Sequence, residues 1–351
     1  MTTFKPRAWS MAALLGLSAI SSAAYASNYP IVLVHGFQPS QLQSRPVGTA
    51  VSQAGAAYWS EYWGSRAAAR IDWPSQERVK EKISTDYVWP VLKQLSQQGT
   101  CRTGCVFVTH STGDLVTRYI LENQANWLRN AGMEPLNIVA TVDFAGAGGG
   151  SELADLALNV IDGNAGWLVQ QAVGLWLGTT PTRGNAGVLN DLQVNSARQL
   201  ATTFTSRVPR LRMVGGASDY VGATSPFLPG DDDGVVAPHS SCGATTAGDF
   251  NSCVGNVALS GKLTSVKAPS SRYPQHYPVL MSDKYSHASV LKNSVAGRFT
   301  TATSSVSYSN GVNWQVKATD KYYGFPYYAT WRYVNSSDTQ SMSALVFQQL
   351  P

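Results

Sequence analysis

Short apolar runs rich in β-branched residues recur along the chain, each bounded by glycine, proline or polar residues. Residues 29–34 (YPIVLV), 106–109 (VFVT), 137–144 (NIVATVDF) and 210–215 (RLRMVG) have this form. Runs of four to eight apolar residues without strict alternation predict strands buried on both faces. Between them, residues 84–98, 113–129 and 195–203 carry helical patterning. Buried strands alternating with helices predict βαβ units, hence an α/β fold with a mostly parallel, doubly wound sheet. No internal repeat is present.

Two stretches break this rhythm. Residues 151–177 are apolar, with Trp167 and Trp176 among leucines and valines, and follow the run Gly148-Gly149-Gly150. Residues 151–180 therefore read either as a mobile lid or as an ordinary core helix with its loop. The tail, residues 294–351, is rich in Ser, Thr, Tyr and Trp and alternates in VSYSNGVNWQVKA, which predicts a β-rich extension with a hairpin about Asn310-Gly311. The expected organisation is a catalytic region over residues 27–293 followed by this extension, whether folded separately or with the rest.

The N-terminus follows another grammar. Lys5 and Arg7 precede a short apolar run, and Ala24-Tyr25-Ala26 is a small-x-small cleavage site. This pattern predicts a signal peptide over residues 1–26 and a secreted product, extracellular or periplasmic, without a stable membrane anchor. The formal charge of +5 includes Lys5 and Arg7, so the mature chain carries +3 (5 minus 2). With no Lys/Arg-rich run, that argues against a nucleic-acid partner. The four cysteines cluster as Cys101 with Cys105 and Cys242 with Cys253, which in an exported chain predicts two local disulfides. No pair has the C-x-x-C spacing of a zinc site.

The strongest chemical signal is VFVTHSTG followed by a helical segment. A strand, a sharp turn, a serine and a helix lift Ser111 Oγ out of the sheet and place helix N–H groups behind it. Gly113 meets the demand for a small residue, whereas Thr109 stands where the usual G-x-S-x-G pattern has glycine. A second strand ends in His35-Gly36-Phe37. An oxyanion needs two N–H donors, one after the nucleophile and one after an early strand. Those are Thr112 and Phe37, with Gln38 as the alternative to Phe37, and His35 is expected to shape the loop. No GxGxxG follows a strand, so no redox cofactor is implied.

Four motifs in order, VLVHGF, THSTGD, VDFAGAGGGSELADL and GDDDGVVAPHSSCG, resemble those of the bacterial lipase family of α/β hydrolases, which includes secreted triacylglycerol lipases. The resemblance spans roughly residues 29–287. It implies an α/β-hydrolase fold, and its last motif places Asp233 on the catalytic acid, with Asp219 and Asp143 as alternatives and the Asp231–Asp233 run otherwise a solvated turn. The α/β-hydrolase order of serine, acid and histidine fits Ser111, Asp233 and His287. His35 and His110 come too early to be the base; His276, in RYPQHYP, is second to His287 and reads as a turn residue. The family's calcium ligand two residues after the histidine is replaced by Ser289, so no metal is expected.

These features together predict a carboxylester hydrolase, lipase or esterase, acting on an ester or lipid substrate, including one at a lipid–water interface. The rivals are the same triad in an acyltransferase, thioesterase or polyester depolymerase, a serine peptidase, and a non-catalytic binding protein that uses the aromatic tail. Oligomeric state is not legible.

Overall fold

The computed structural model describes residues 29–200, 207–250, 253, 255, 257–263 and 268–350. Residues 1–26, expected to be a signal peptide, and residues 201–203 of the third expected helix lie outside the described residues. Among the described residues, no helix is long and apolar enough to cross a membrane.

The apolar runs become a six-stranded parallel sheet. It comprises β1 (Ile31–Val34), β2 (Ala69–Ile71), β3 (Cys105–His110), β4 (Ile138–Phe144), β5 (Arg210–Ala217) and β6 (His276–Ser286), in the order β2-β1-β3-β4-β5-β6. All five pairings are parallel. Helices intervene: α1 (Gln41–Ser44), α2 (Thr49–Tyr58), α3 (Trp89–Gln98), α4 (Thr112–Asn130), α5 (Glu152–Ile161), α6 (Trp167–Leu177), α7 (Leu189–Leu192), α8 (Val194–Leu200) and α9 (Pro238–Ser241). The helix expected from residue 84 begins earlier, as a π-helical stretch Val79–Val88 that runs into α3. The apolar segment after residue 151 is two helices, α5 and α6, broken at Gly163, which takes a positive φ of 73°.

Strand periodicity divides the interior into two cores. Val32, Val34 and Phe107 point to one face, where residues of α3, α4, α5 and α6 cover them. Ile31, Leu33, Val106, Val108, Val142 and Phe144 point to the other. That second face is covered by Trp59 and Trp63 after α2 and by the C-terminal segment. The segment supplies the hairpin β7 (Ser305–Ser307) and β8 (Asn313–Gln315), the hairpin β9 (Ala318–Tyr323) and β10 (Ala329–Val334), and α10 (Met342–Gln349). The first hairpin turns at Asn310-Gly311, as the alternation predicts, with Gly311 N–H donating to the Tyr308 carbonyl. Helix α10 was not legible from the tail's composition. It buries Met342, Leu345 and Val346, and Ser343 Oγ accepts from Trp63 Nε1 at 3.0 Å.

Both expected disulfides are present, Cys101–Cys105 and Cys242–Cys253. The first ties the loop after α3 to the first residue of β3.

Trp314 is fully buried in the second core although its strand is three residues long. Trp314→Ala should therefore cost about 3–5 kcal/mol in urea unfolding. A cost under about 1 kcal/mol would mean that the hairpin does not contribute to that core.

Candidate active site

Because every strand of the sheet runs the same way, the segments that follow β1, β3, β5 and β6 emerge at one edge. They carry His35–Phe37, Ser111, the Asp233 loop and His287.

Ser111 sits between β3 and α4 with φ 55° and ψ −127°, a left-handed conformation rare for a residue with a side chain. Close approach enforces it. A Cβ on Gly113 would lie 2.2 Å from the Val34 carbonyl oxygen, and one on Gly36 would lie 2.6 Å from Ser111 Cβ. Ser111 N–H donates to the Phe144 carbonyl, and its own carbonyl accepts from Asp114 and Ala147 N–H. Strand, strained serine and helix together have the form of the strand–turn–helix elbow known from α/β hydrolases. Thr109, at the position of the usual first glycine, is accommodated because its hydroxyl donates to Asp143 Oδ1 at 2.7 Å on the adjacent strand.

Beneath the elbow lies a buried charge cluster. Thr109, Asp143 and Arg212 stand in register across β3, β4 and β5. Asp114, from the first turn of α4, pairs with Arg212 at 2.6 Å and also with Arg210, while Arg210 reaches Asp143 at 3.1 Å. Burial alone would raise the Asp114 carboxyl, but the two guanidiniums outweigh it and hold its pKa below the ordinary value. Asp114 Oδ2 also accepts Gly148 N–H at 2.8 Å. The small residues of AGAGGG are required here, since a Cβ on Gly146 or Gly148 would lie 2.5 or 2.6 Å from that oxygen. Asp143, an alternative acid by sequence, is thus a buried partner of Arg210 and the Thr109 hydroxyl, not of a histidine.

Asp233 and His287 meet. Asp233 Oδ2 accepts from His287 Nδ1 at 2.9 Å, and the His287 N–H donates to the Asp233 carbonyl at 2.9 Å. Asp233 Oδ1 accepts the Val235 and Val236 N–H groups at 3.0 and 2.7 Å, so both carboxylate oxygens are oriented. The neighbouring aspartates differ: Asp231 is exposed, and Asp232 Oδ1 accepts from Gly234 N–H and Ser225 Oγ, which closes the turn. Asp219, the other alternative acid, binds either side of His287 instead of its ring. It accepts from Ser286 Oγ and from Ala288 N–H at 3.0 Å. Ser289 Oγ accepts the Ser286 N–H at 2.8 Å and tightens the same turn.

His110 links the serine to this loop. Its Nε2 donates to the His287 carbonyl at 2.8 Å, which leaves Nδ1 to accept from the Tyr58 hydroxyl. Burial, and then the proximity of His287, push its pKa well below the ordinary value. Sequence order excluded His110 as the base; its role as a brace, and that of Tyr58, had no signal in the sequence. His276 is not a turn residue. It opens β6 beside Arg210, at the end of the sheet opposite Ser111, because the strand begins at His276.

His35 shapes the first loop. Its ring stacks on Trp73 with centroids 4.8 Å apart, Nε2 accepts the Trp73 N–H at 3.0 Å, and Nδ1 donates to the Gly36 carbonyl at 2.8 Å. The Gln38 N–H is taken by Ser75 Oγ at 2.9 Å. Among the described residues, the Phe37 and Thr112 N–H groups have no acceptor. Phe37 packs against Trp176 of α6 with ring centroids 5.7 Å apart. The same helix exposes Trp167, Leu168 and Leu175.

No family model and no curated protein matches the chain. Among solved structures it is similar to a Bacillus licheniformis lipase in its mature form, at 18% identity over 76% of this chain and 88% of that one, with a TM-score of 0.44. It is also similar to Staphylococcus hyicus lipase, at 13% identity over 76% and 90%, TM-score 0.44. EstA from Clostridium botulinum shares 15% identity over 77% and 85%, TM-score 0.42.

Burial lowers the His35 pKa from 6.5 to about 4. A histidine whose folded pKa is depressed favours the unfolded state once the unfolded chain takes up the proton. The His35 contribution should therefore be fully present above about pH 6.5 and be lost, by up to about 3 kcal/mol, as the pH drops towards 4, in addition to the loss that the depressed His110 brings over the same range. Urea midpoints across that range test this: the decline should be shallower in His35→Asn, and an unchanged slope there would remove His35 as its source.

Proposed function

We propose that the protein is a secreted serine carboxylester hydrolase, a lipase or esterase working through an acyl-serine intermediate. The Asp233–His287 pair, brought beside the elbow that carries Ser111, supports this reading most strongly. With Nδ1–H directed at Asp233, the lone pair of His287 lies on Nε2, the nitrogen that would accept the Ser111 proton. Ser111 Oγ would then attack the ester carbonyl, with the oxyanion held by the Phe37 and Thr112 amides. The alcohol would leave with the proton from His287. Water, deprotonated by the same nitrogen, would release the acid and restore the serine.

Trp176 of α6 packs against Phe37 while the helix exposes Trp167, Leu168 and Leu175, which supports reading residues 151–180 as a wall or lid of an acyl site that a lipid surface would meet. Export agrees with the two disulfides and the N-terminal pattern.

Ser111→Ala and His287→Ala should each lower kcat/KM for p-nitrophenyl esters by roughly a thousandfold or more while the fold persists. Asp219→Ala, which loosens the turn but leaves the Asp233 contact, should lower it by about tenfold. A Ser111→Ala enzyme that keeps its rate would refute the acyl-serine mechanism.

A further inference from the structure

The hairpin of β9 and β10 projects aromatic rings that fill no core. Parity places Lys321 and Tyr323 of β9 on the same face as Trp331 and Tyr333 of β10, since Trp331 pairs with Lys321 and Ala329 with Tyr323. Tyr327, from the connecting turn, closes one side, and Arg298 approaches from the irregular segment before Phe299. Tyr323, Tyr327, Trp331, Tyr333 and Arg298 line a cup of about 360 Å³. Tyr323 and Tyr327 meet Trp331 edge to face at 5.3 and 6.0 Å, and Arg298 lies 4.9 Å from the centre of the Tyr333 ring. None of the four aromatics belongs to a hydrophobic core cluster.

Charge separates the two faces of this hairpin. On the opposite face Arg332 is paired with Asp320 through two hydrogen bonds, at 2.8 and 3.0 Å. On the cup face, Arg298 and Lys321 have no carboxylate partner among the described residues, and no residue lining the cup is acidic. Half-buried rings that lie outside the cores, with Tyr327 exposed beside them, and a guanidinium hydrogen-bonded to the Tyr323 and Tyr333 side chains but without a carboxylate partner, make a site with a defined chemistry. Flat faces accept the C–H face of a pyranose, tyrosine hydroxyls meet its hydroxyls, and the planar guanidinium takes a carboxylate through two parallel hydrogen bonds. The exposed rings of the turn are tyrosines 327 and 328 with one phenylalanine, Phe325, a hydroxyl-rich set better matched to sugar than to acyl chains.

We propose that this cup is a binding site for an acidic saccharide, a uronate residue of a polysaccharide, and that it anchors the protein to such a polymer independently of the chemistry at Ser111. The proposal does not depend on the ester-hydrolase reading.

Titration of the full mature chain with trigalacturonate at 150 mM salt, followed by tryptophan fluorescence and calorimetry, tests it, with maltotriose as the neutral control. Trigalacturonate should bind at least about tenfold more tightly than maltotriose. Trp331→Ala, Tyr327→Ala and Arg298→Gln should each weaken binding by about tenfold, and Arg332→Gln on the opposite face by less than about twofold. Tyr327 is exposed and Arg298 lies at the surface, so those two variants decide the matter if Trp331→Ala fails to fold. Absence of trigalacturonate binding, equal binding of maltotriose, or indifference to Arg298→Gln would overturn the proposal. So would tighter binding to oligothymidylate or to phosphatidylglycerol vesicles.

Discussion

The whole edge of the molecule depends on how closely the N-terminus of α4 approaches the end of β1. Gly113 abuts the Val34 carbonyl, and Gly36 abuts Ser111, leaving no room for a side chain at either position. That contact goes with the positive φ of Ser111 at the turn between β3 and α4. A strained residue persists only where its surroundings over-determine it. Here two glycines, the Phe144 carbonyl and the Ala147 amide do so.

The charged cluster under α4 completes that restraint. Asp114 binds both Arg210 and Arg212 and also receives the Gly148 amide, so the helix, β5 and the loop after β4 share one anion. Buried ion pairs contribute little net stability against apolar substitutes, but removing one partner leaves an uncompensated charge. Their value here is geometric: the loop that cradles the serine from below cannot shift without unpairing Asp114. His110 plays the matching part above, joining the residue before the serine to the carbonyl of His287.

The aspartates show how similar side chains divide the labour. Asp233 orients the His287 ring, Asp219 holds the backbone and serine on either side of it, Asp232 closes the acidic turn, and Asp143 lies in the sheet with Arg210. The C-terminal segment divides in a similar way. Its first hairpin and α10 cover a core face, whereas its second hairpin presents aromatic rings outward.

Local pattern alone determined four of the six sheet strands, β1, β3, β4 and β5, the helix behind Ser111, the two cysteine pairs and the turn at Asn310-Gly311, because each depends on residues close together in the chain. The pairing of Asp233 with His287, fifty-four positions apart, follows the order that the motifs gave, and the structure joins the two by a hydrogen bond. The tertiary structure decided what depends on side chains from distant segments. It separated Asp233 from Asp219 and Asp143, and set His276 at the start of β6. It engaged the Gln38 amide with Ser75, gave His110 and Tyr58 their bracing contacts, and folded α10 over the second face of the sheet. None of these leaves a periodic trace, because a hydrogen bond between residues a hundred positions apart imposes no spacing on either neighbourhood.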